Sequence, residues 1–192
     1  MKRNGPVPVG QCEEELVRAA QQGNREAFGR LYEGNVERIY RYLLARLSEA
    51  ADAEDVTAEV FMRAMKALPS YEARGVPFIA WLFRIAHNEA INYSKRGQRR
   101  RETPLPELLP DLDDPAEEAV MRVSFDEVSR AMERLTDLQR QVISLRFASQ
   151  LSIAETAKVM QRSEEAVKFL QFSALRALRR VLEKGEVTSH GR

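Results

Sequence analysis

Between Ser163 and Arg180 the chain sets hydrogen-bonding heads and an aromatic ring beside an apolar stripe. Val167, Leu170, Ala174, Leu178 and Val181 recur at intervals of three and four, the period of one helix face. Ser163 stands just ahead of them as an N-cap candidate. Glu164, Glu165, Lys168, Gln171, Phe172 and Arg176 are read as the face turned away from the stripe. Lysine and glutamine can address purine edges, phenylalanine can touch a thymine methyl, and a polar group at a helix N-terminus can take a phosphate. That is the chemistry of reading a duplex groove. The same pattern also describes an amphipathic helix with a solvated polar side, so pattern alone leaves the two readings balanced.

The element needed to position such a helix lies just upstream. Ser152 precedes Ile153 and has Glu155 three residues on, a capping-box pattern that starts a short helix through Ala154, Ala157 and Met160. Gln161 and Arg162 make a turn before Ser163. Two helices joined by so short a turn, the second longer and basic, have the layout of a helix-turn-helix.

Other chemistries have no footing. Cys12 is the only cysteine, and the two histidines, His87 and His190, are far apart. An internal disulfide is therefore impossible and a four-ligand zinc site is not expected. There is no Gly-rich phosphate loop, nucleophile elbow or nucleophile with a plausible base. The expectation is a non-enzymatic protein with no metal and no cofactor.

The net charge of +1 over 192 residues conceals strong segregation. Lys95, Arg96, Arg99, Arg100 and Arg101 form a basic cluster, and the stretch from Glu102 to Glu118 then holds seven acids and no base. Lys158, Arg162, Lys168, Arg176, Arg179 and Arg180 make the C-terminal part basic again. No apolar run approaches the roughly 20 residues of a membrane span, and Met1 to Gly10 does not look like a signal peptide. A cytoplasmic protein without membrane insertion is expected.

Helical spacing recurs from Glu13 to Arg46, read as two helices interrupted at Gly23 and Asn24. Another helix is expected over Asp52 to Ala67, a loop over Tyr71 to Pro77, and a helix from Phe78 to about Arg96. Pro104, Pro106, Pro110 and Pro115 lie among acids, which discourages helix and core burial alike. The fold class is all-α: two small helical domains on a flexible acidic linker. The boundaries read as a disordered tail over 1–12, a first domain over 13–98, a linker over 99–118, a second domain over 119–185, and a tail over 186–192.

Two stretches carry a resemblance to a known family. "DAEDVTAEVFMRAMKAL" (Asp52 to Leu68) resembles regions 2.1 to 2.2 of the sigma-70 family, and "PFIAWLFRIAHNEAINYSKR" (Pro77 to Arg96) resembles regions 2.3 to 2.4. "LTDLQRQVISLRFASQLSIAETAKVMQRSEEAVKFLQFSALRALRR" (Leu135 to Arg180) is similar to region 4. With an acidic linker where longer sigma factors carry a third domain, the arrangement resembles the extracytoplasmic-function (ECF) subgroup. The resemblance implies a promoter-recognition subunit of bacterial RNA polymerase, docked on the largest and second-largest subunits.

The resemblance further implies residue roles. Docking on a coiled coil of the largest subunit falls to Asp52, Glu54, Asp55, Thr57, Glu59, Val60, Phe61 and Arg63, with Val56 and Ala64 as core. Capture of an extruded minus 10 base falls to the Tyr71 to Pro77 loop, with Tyr71, Glu72 and Arg74, and to Asn88. Arg84, Asn92, Lys95, Arg96 and the arginines at 99 to 101 are placed on the DNA backbone, while Trp81, Leu82, Ile85 and Ala86 pack. Minus 35 reading falls to Ser163, Glu164, Glu165, Lys168, Gln171, Phe172 and Arg176. Leu170, Gln171 and Ser173 depart from the family pattern, so the target sequence is not legible. Glu107, Asp111, Asp113 and Asp114 of the linker are expected in cationic channels of the polymerase. Promoter DNA and an anti-sigma factor are the other implied partners. The alternatives are a conventional helix-turn-helix regulator that acts without core polymerase and a mimic that binds polymerase but not DNA.

Overall fold

A computed structural model describes residues 13–72, 76–101, 128 and 130–189. The described residues form helices and no strand: α1 (Glu13–Gln21), α2 (Arg25–Glu33), α3 (Val36–Leu47), α4 (Ala50–Ala67), α5 (Phe78–Arg101), α6 (Asp137–Ile143), α7 (Ile153–Met160) and α8 (Glu164–Ser189), with residues 130–133 helical as well. Among them no helix is long and apolar enough to cross a membrane. The acidic segment 102–118, the 1–12 tail, and Arg74 lie outside the described residues.

Three helices, not two, fill the stretch from Glu13 to Leu47. Gly23 takes φ +87°, after which the Asn24 side chain accepts from the Ala27 amide at 3.1 Å and starts α2. The second break is at Asn35, a buried amide whose Nδ2 donates to the Leu31 carbonyl at 2.7 Å and closes the corner between α2 and α3. Gly34 and Asn35 mark this break in the sequence just as Gly23 and Asn24 mark the first, and reading the apolar periodicity alone runs through it. Helix α5 continues past Arg96 to Arg101, and α8 continues past Gly185 to Ser189.

Ile39, Tyr42, Leu43, Val60, Leu82 and Phe83 are fully buried between α3, α4 and α5. Each is worth roughly 1.5–3 kcal/mol of burial. The Tyr42 and Phe83 rings meet edge to face at 5.4 Å. Helix α1 straps the loop that follows α4: Gln21 Nε2 donates to the carbonyls of Leu68 (3.1 Å) and Tyr71 (2.6 Å), and Glu13 accepts from the Phe78 amide at 3.2 Å. Both ends of the 71–77 loop are thereby anchored, and with them the start of α5.

A second core gathers Met132, Leu135, Val142, Ile143, Ala157, Val167 and Ala174. The two cores are in contact. Leu145, Leu151 and Val159 pack into the N-terminal cluster. Around this apolar contact runs a polar clasp. Arg46 reaches Asp137 Oδ1 at 2.5 Å, Arg38 reaches Glu155 at 3.7 Å, and Ser149 Oγ donates to the Arg38 carbonyl at 3.0 Å.

Candidate nucleic-acid interface

Helices α4 and α5 enclose a groove of about 580 Å³. Arg63, Lys66 and Ala67 form its α4 wall, and Ile85, Asn88 and Asn92 its α5 wall. Asn88 and Asn92 are exposed one turn apart, and Lys95 and Arg96 continue the same exposed run along α5. Glu89 is buried beneath the rim and pairs with Arg63 Nη1 at 2.9 Å, while Arg63 Nε donates to Glu59 at 2.8 Å. The Glu59 hydrogen bond, opposed by partial desolvation and aided by the Glu89 charge, pushes the Arg63 pKa up. The groove thus offers two cations, two carboxamides and an apolar strip from Ala67 and Ile85, a composition that suits an unstacked nucleotide.

The loop residues sit elsewhere. Tyr71 is buried against Phe78 and Trp81, with ring centroids at 5.8 and 4.8 Å, and its hydroxyl donates to the Val76 carbonyl at 3.0 Å. Burial, then the charges of Glu13 and Glu14, pushes its pKa up and keeps it a neutral donor. Tyr71 therefore shapes the loop from inside instead of presenting itself to DNA. Glu72 is exposed. Arg84 is exposed and lies beside the α7–α8 turn, where the Gln161 amide oxygen, once oriented toward it, accepts at 3.2 and 3.3 Å.

On α4 the structure divides the expected docking residues. Glu54, Asp55 and Arg63 are exposed and Glu59 is half-buried. Asp52 accepts from the Tyr93 hydroxyl at 2.5 Å. Thr57, Val60 and Phe61 are buried: Thr57 donates to the Ala53 carbonyl at 2.6 Å, and Phe61 packs edge-on to Tyr32 at 4.7 Å. They continue the stripe of Ala53, Val56 and Ala64, so Thr57, Val60 and Phe61 are core and not docking surface. The apolar groups that do stand outward are Met62 and Met65, 46% and 54% exposed, which the sequence reading missed. Their spacing of seven and ten residues from Asp55 is the legible signal.

Helix α8 repeats the lesson. Ser163 caps it, accepting from the Ala166 amide at 3.2 Å, and the capping box of α7 closes with Glu155 accepting from the Ser152 amide at 2.7 Å. Gln161 takes φ 54°, the left-handed turn that swings α8 away from α7. Glu164, Glu165, Lys168, Phe172 and Arg176 are exposed as expected. Backbone hydrogen bonding at the helix start depresses the Glu165 pKa, together with Ser163. Arg176 lies over the Phe172 ring at 5.8 Å. Gln171 instead turns inward and accepts from Arg146 Nε at 2.9 Å. Ser173, off the family pattern, accepts from Gln139 Nε2 at 3.0 Å and so ties α8 to α6. Phe169, 71% exposed, takes the outward place, in the run Glu165, Phe169, Phe172, Arg176. Steps of four, three and four mark that run as one face, a register available from the sequence but not used.

Comparison with known proteins matches these same two stretches. The Sigma-70 region 2 family covers residues 31–101, and the Sigma-70, region 4 family covers residues 131–180. The chain is 39% identical over 171 residues to the ECF RNA polymerase sigma factor BldN of Streptomyces coelicolor, an alignment covering 88% of this chain and 65% of BldN. It is 32% identical to the ECF RNA polymerase sigma factor SigX of Bacillus subtilis, covering 82% of this chain and 84% of SigX. It is 30% identical to SigK of Mycobacterium ulcerans, covering 88% and 92%. In fold it is similar to CnrH, solved in complex with the cytosolic domain of CnrY, at a TM-score of 0.68 and 24% identity over 90% of this chain and 97% of that one. The sigma factor RpoE, solved with the anti-sigma factor NepR from Bartonella quintana, superposes at a TM-score of 0.61 and 24% identity over 81% of this chain and 96% of that one.

Proposed function

We propose that this chain, which belongs to the ECF group of RNA polymerase sigma factors of the sigma-70 family, directs core polymerase to promoters and helps open them, acting without catalysis of its own. The observation that carries the mechanism is the α4–α5 groove with Asn88 in its wall. A base leaving the minus 10 stack gives up stacking and pairing worth a few kcal/mol, which a receiving site must return. In this groove Ala67 and Ile85 supply apolar contact, the Asn88 amide donates to and accepts from a base edge, and Lys66 draws the phosphate. Asn92, Lys95 and Arg96 extend the charge and hydrogen-bonding capacity along the strand.

The exposed face of α8, with Lys168, Phe169, Phe172 and Arg176, reads the minus 35 duplex. The outer face of α4 docks on the polymerase. Glu54 and Asp55 guide the encounter there, and Met62 and Met65 supply the apolar anchor. The segment 102–118 serves as the tether between the promoter-binding domains, its acids lying in the polymerase channels. An anti-sigma factor is the proposed regulatory partner, since RpoE, similar in fold, was solved with the anti-sigma factor NepR.

Run-off transcription with purified core polymerase tests the reading. Promoter-dependent transcript should require this chain, and Asn88→Ala should abolish it while leaving core binding intact. Operator binding with no effect on core polymerase would establish the regulator alternative instead, and unchanged transcription by Asn88→Ala would remove the groove from the mechanism.

A further inference from the structure

Base capture gives Glu89 no task, yet its placement is unusual. Its side chain is 6% exposed, and a carboxylate out of water is unfavourable unless a partner and good geometry compensate. The partner is Arg63 on the neighbouring helix, at 2.9 Å. Arg63 is itself 43% exposed and lines the groove, and its Nε is already committed to Glu59 at 2.8 Å. Two carboxylates on two helices therefore pin one guanidinium through Nε and Nη1, which leaves the second N–H of Nη1 beside those of Nη2 as the fork open to a ligand. As a device for stability this is poor, because an apolar pair serves a helix contact as well as a buried ion pair does. As a way of holding a donor fork rigid at the rim of a binding groove it is effective, since the ordering of a long side chain is done before the ligand arrives.

We propose that Glu89 is a positioning residue for base discrimination, holding Arg63 across the groove from Asn88 so that the groove selects a base with two adjacent acceptors. The inference rests on the base-capture reading above. Arginine only donates, in a fixed planar fork. Cytosine offers N3 and O2 side by side, and guanine offers O6 and N7. Adenine and thymine present a donor beside each acceptor on the corresponding edges, so one half of the fork meets another N–H. The Asn88 amide, which both donates and accepts, completes the edge without itself choosing between bases. A mobile Arg63 would still attract the phosphate backbone, because that attraction needs charge and little geometry. Glu89 thus governs which base is held and has little influence on how tightly single-stranded DNA is held overall.

The test uses the full chain assembled with bacterial core polymerase and fluorescein-labelled oligothymidine strands carrying one central dA, dC, dG or dT, read by anisotropy. The wild type should favour dC and dG by about tenfold over dA and dT, the discrimination a good bidentate contact supplies. Glu89→Gln should reduce that preference to about twofold while the average affinity over the four strands changes little. Arg63→Lys keeps the charge but loses the fork; it should abolish the preference, and Glu89→Gln should add nothing to it. A Glu89→Gln protein that keeps the wild-type ranking overturns the proposal, as do additive losses in the double variant. Should Glu89→Gln fail to fold, Arg63→Lys decides alone, and a retained ranking overturns the proposal. Wild-type protein that ranks no base, with Asn88→Ala indistinguishable from it, would instead remove base capture itself and with it the premise.

Discussion

Arg46→Gln should loosen the two domains from one another about tenfold. Arg46 is nearly enclosed, its side chain 5% exposed, and it meets Asp137 Oδ1 at 2.5 Å while its guanidinium lies 5.9 Å over the Tyr42 ring. Asp137 is 53% exposed, so water screens the pair from that side. Exposed ion pairs are worth about 0.2–1 kcal/mol, and breaking a buried one costs about 3–5 kcal/mol. A half-wet partner places this pair near the lower range, at about 1.5 kcal/mol, which is slightly more than tenfold in the closed-to-open ratio. The Arg38–Glu155 pair at 3.7 Å is about a third exposed on both sides and adds only about 0.5 kcal/mol. Leu145, Leu151 and Val159 remain packed against the N-terminal core, so the variant shifts the equilibrium without abolishing closure. Small-angle X-ray scattering of the full chain should show a larger radius of gyration in Arg46→Gln than in the wild type, and the difference should shrink in molar salt, where screening weakens the wild-type clasp. The charge swap Arg46→Asp with Asp137→Arg should restore compaction. An unchanged radius in Arg46→Gln, or a swap that fails to restore compaction, refutes the assignment of the clasp to this pair.

Stability should fall on acidification through His87. Burial, followed by the Arg46 charge and against the Asp137 charge, depresses its pKa, so its contribution is complete above the ordinary histidine value and is lost as pH falls through the lower folded value. The Tyr42 hydroxyl, whose pKa burial pushes well up, lies within hydrogen-bond distance of Nδ1 at 3.2 Å, and Nε2 faces Asp137 at 4.0 Å. Urea midpoints measured from pH 8 to 5 should slope less in His87→Gln; an identical slope would exclude His87. Phe169→Ala should weaken minus 35 duplex binding about tenfold with an unchanged thermal midpoint, because a side chain 71% exposed carries little packing; unaltered binding in gel shift would take it off the reading face. Leu145→Ala should cost about 3 kcal/mol in urea unfolding, since the residue is fully buried where the two cores meet; a loss below about 1 kcal/mol would mean the contact does not hold in solution.

The sequence by itself determined the helix type, the capping box at Ser152, the end of α4 ahead of Pro69, and the order of the two family blocks. These are local: a cap, a proline or a three-and-four repeat acts within a turn or two of chain, so its cause and effect both lie in the same stretch. The recognition-helix register was also local, yet the sequence reading placed Gln171 outward and overlooked Phe169. What only tertiary structure decided is which helix stands beside which. Arg63, assigned with α4 to polymerase docking, lies in the groove with Asn88 because α4 packs on α5 and buries Glu89 between them. Arg46 and Asp137 meet although 91 residues apart. No periodicity encodes such a pairing, since charge attraction and apolar burial specify chemistry and area but not the partner, and the partner is fixed only once the two cores have packed.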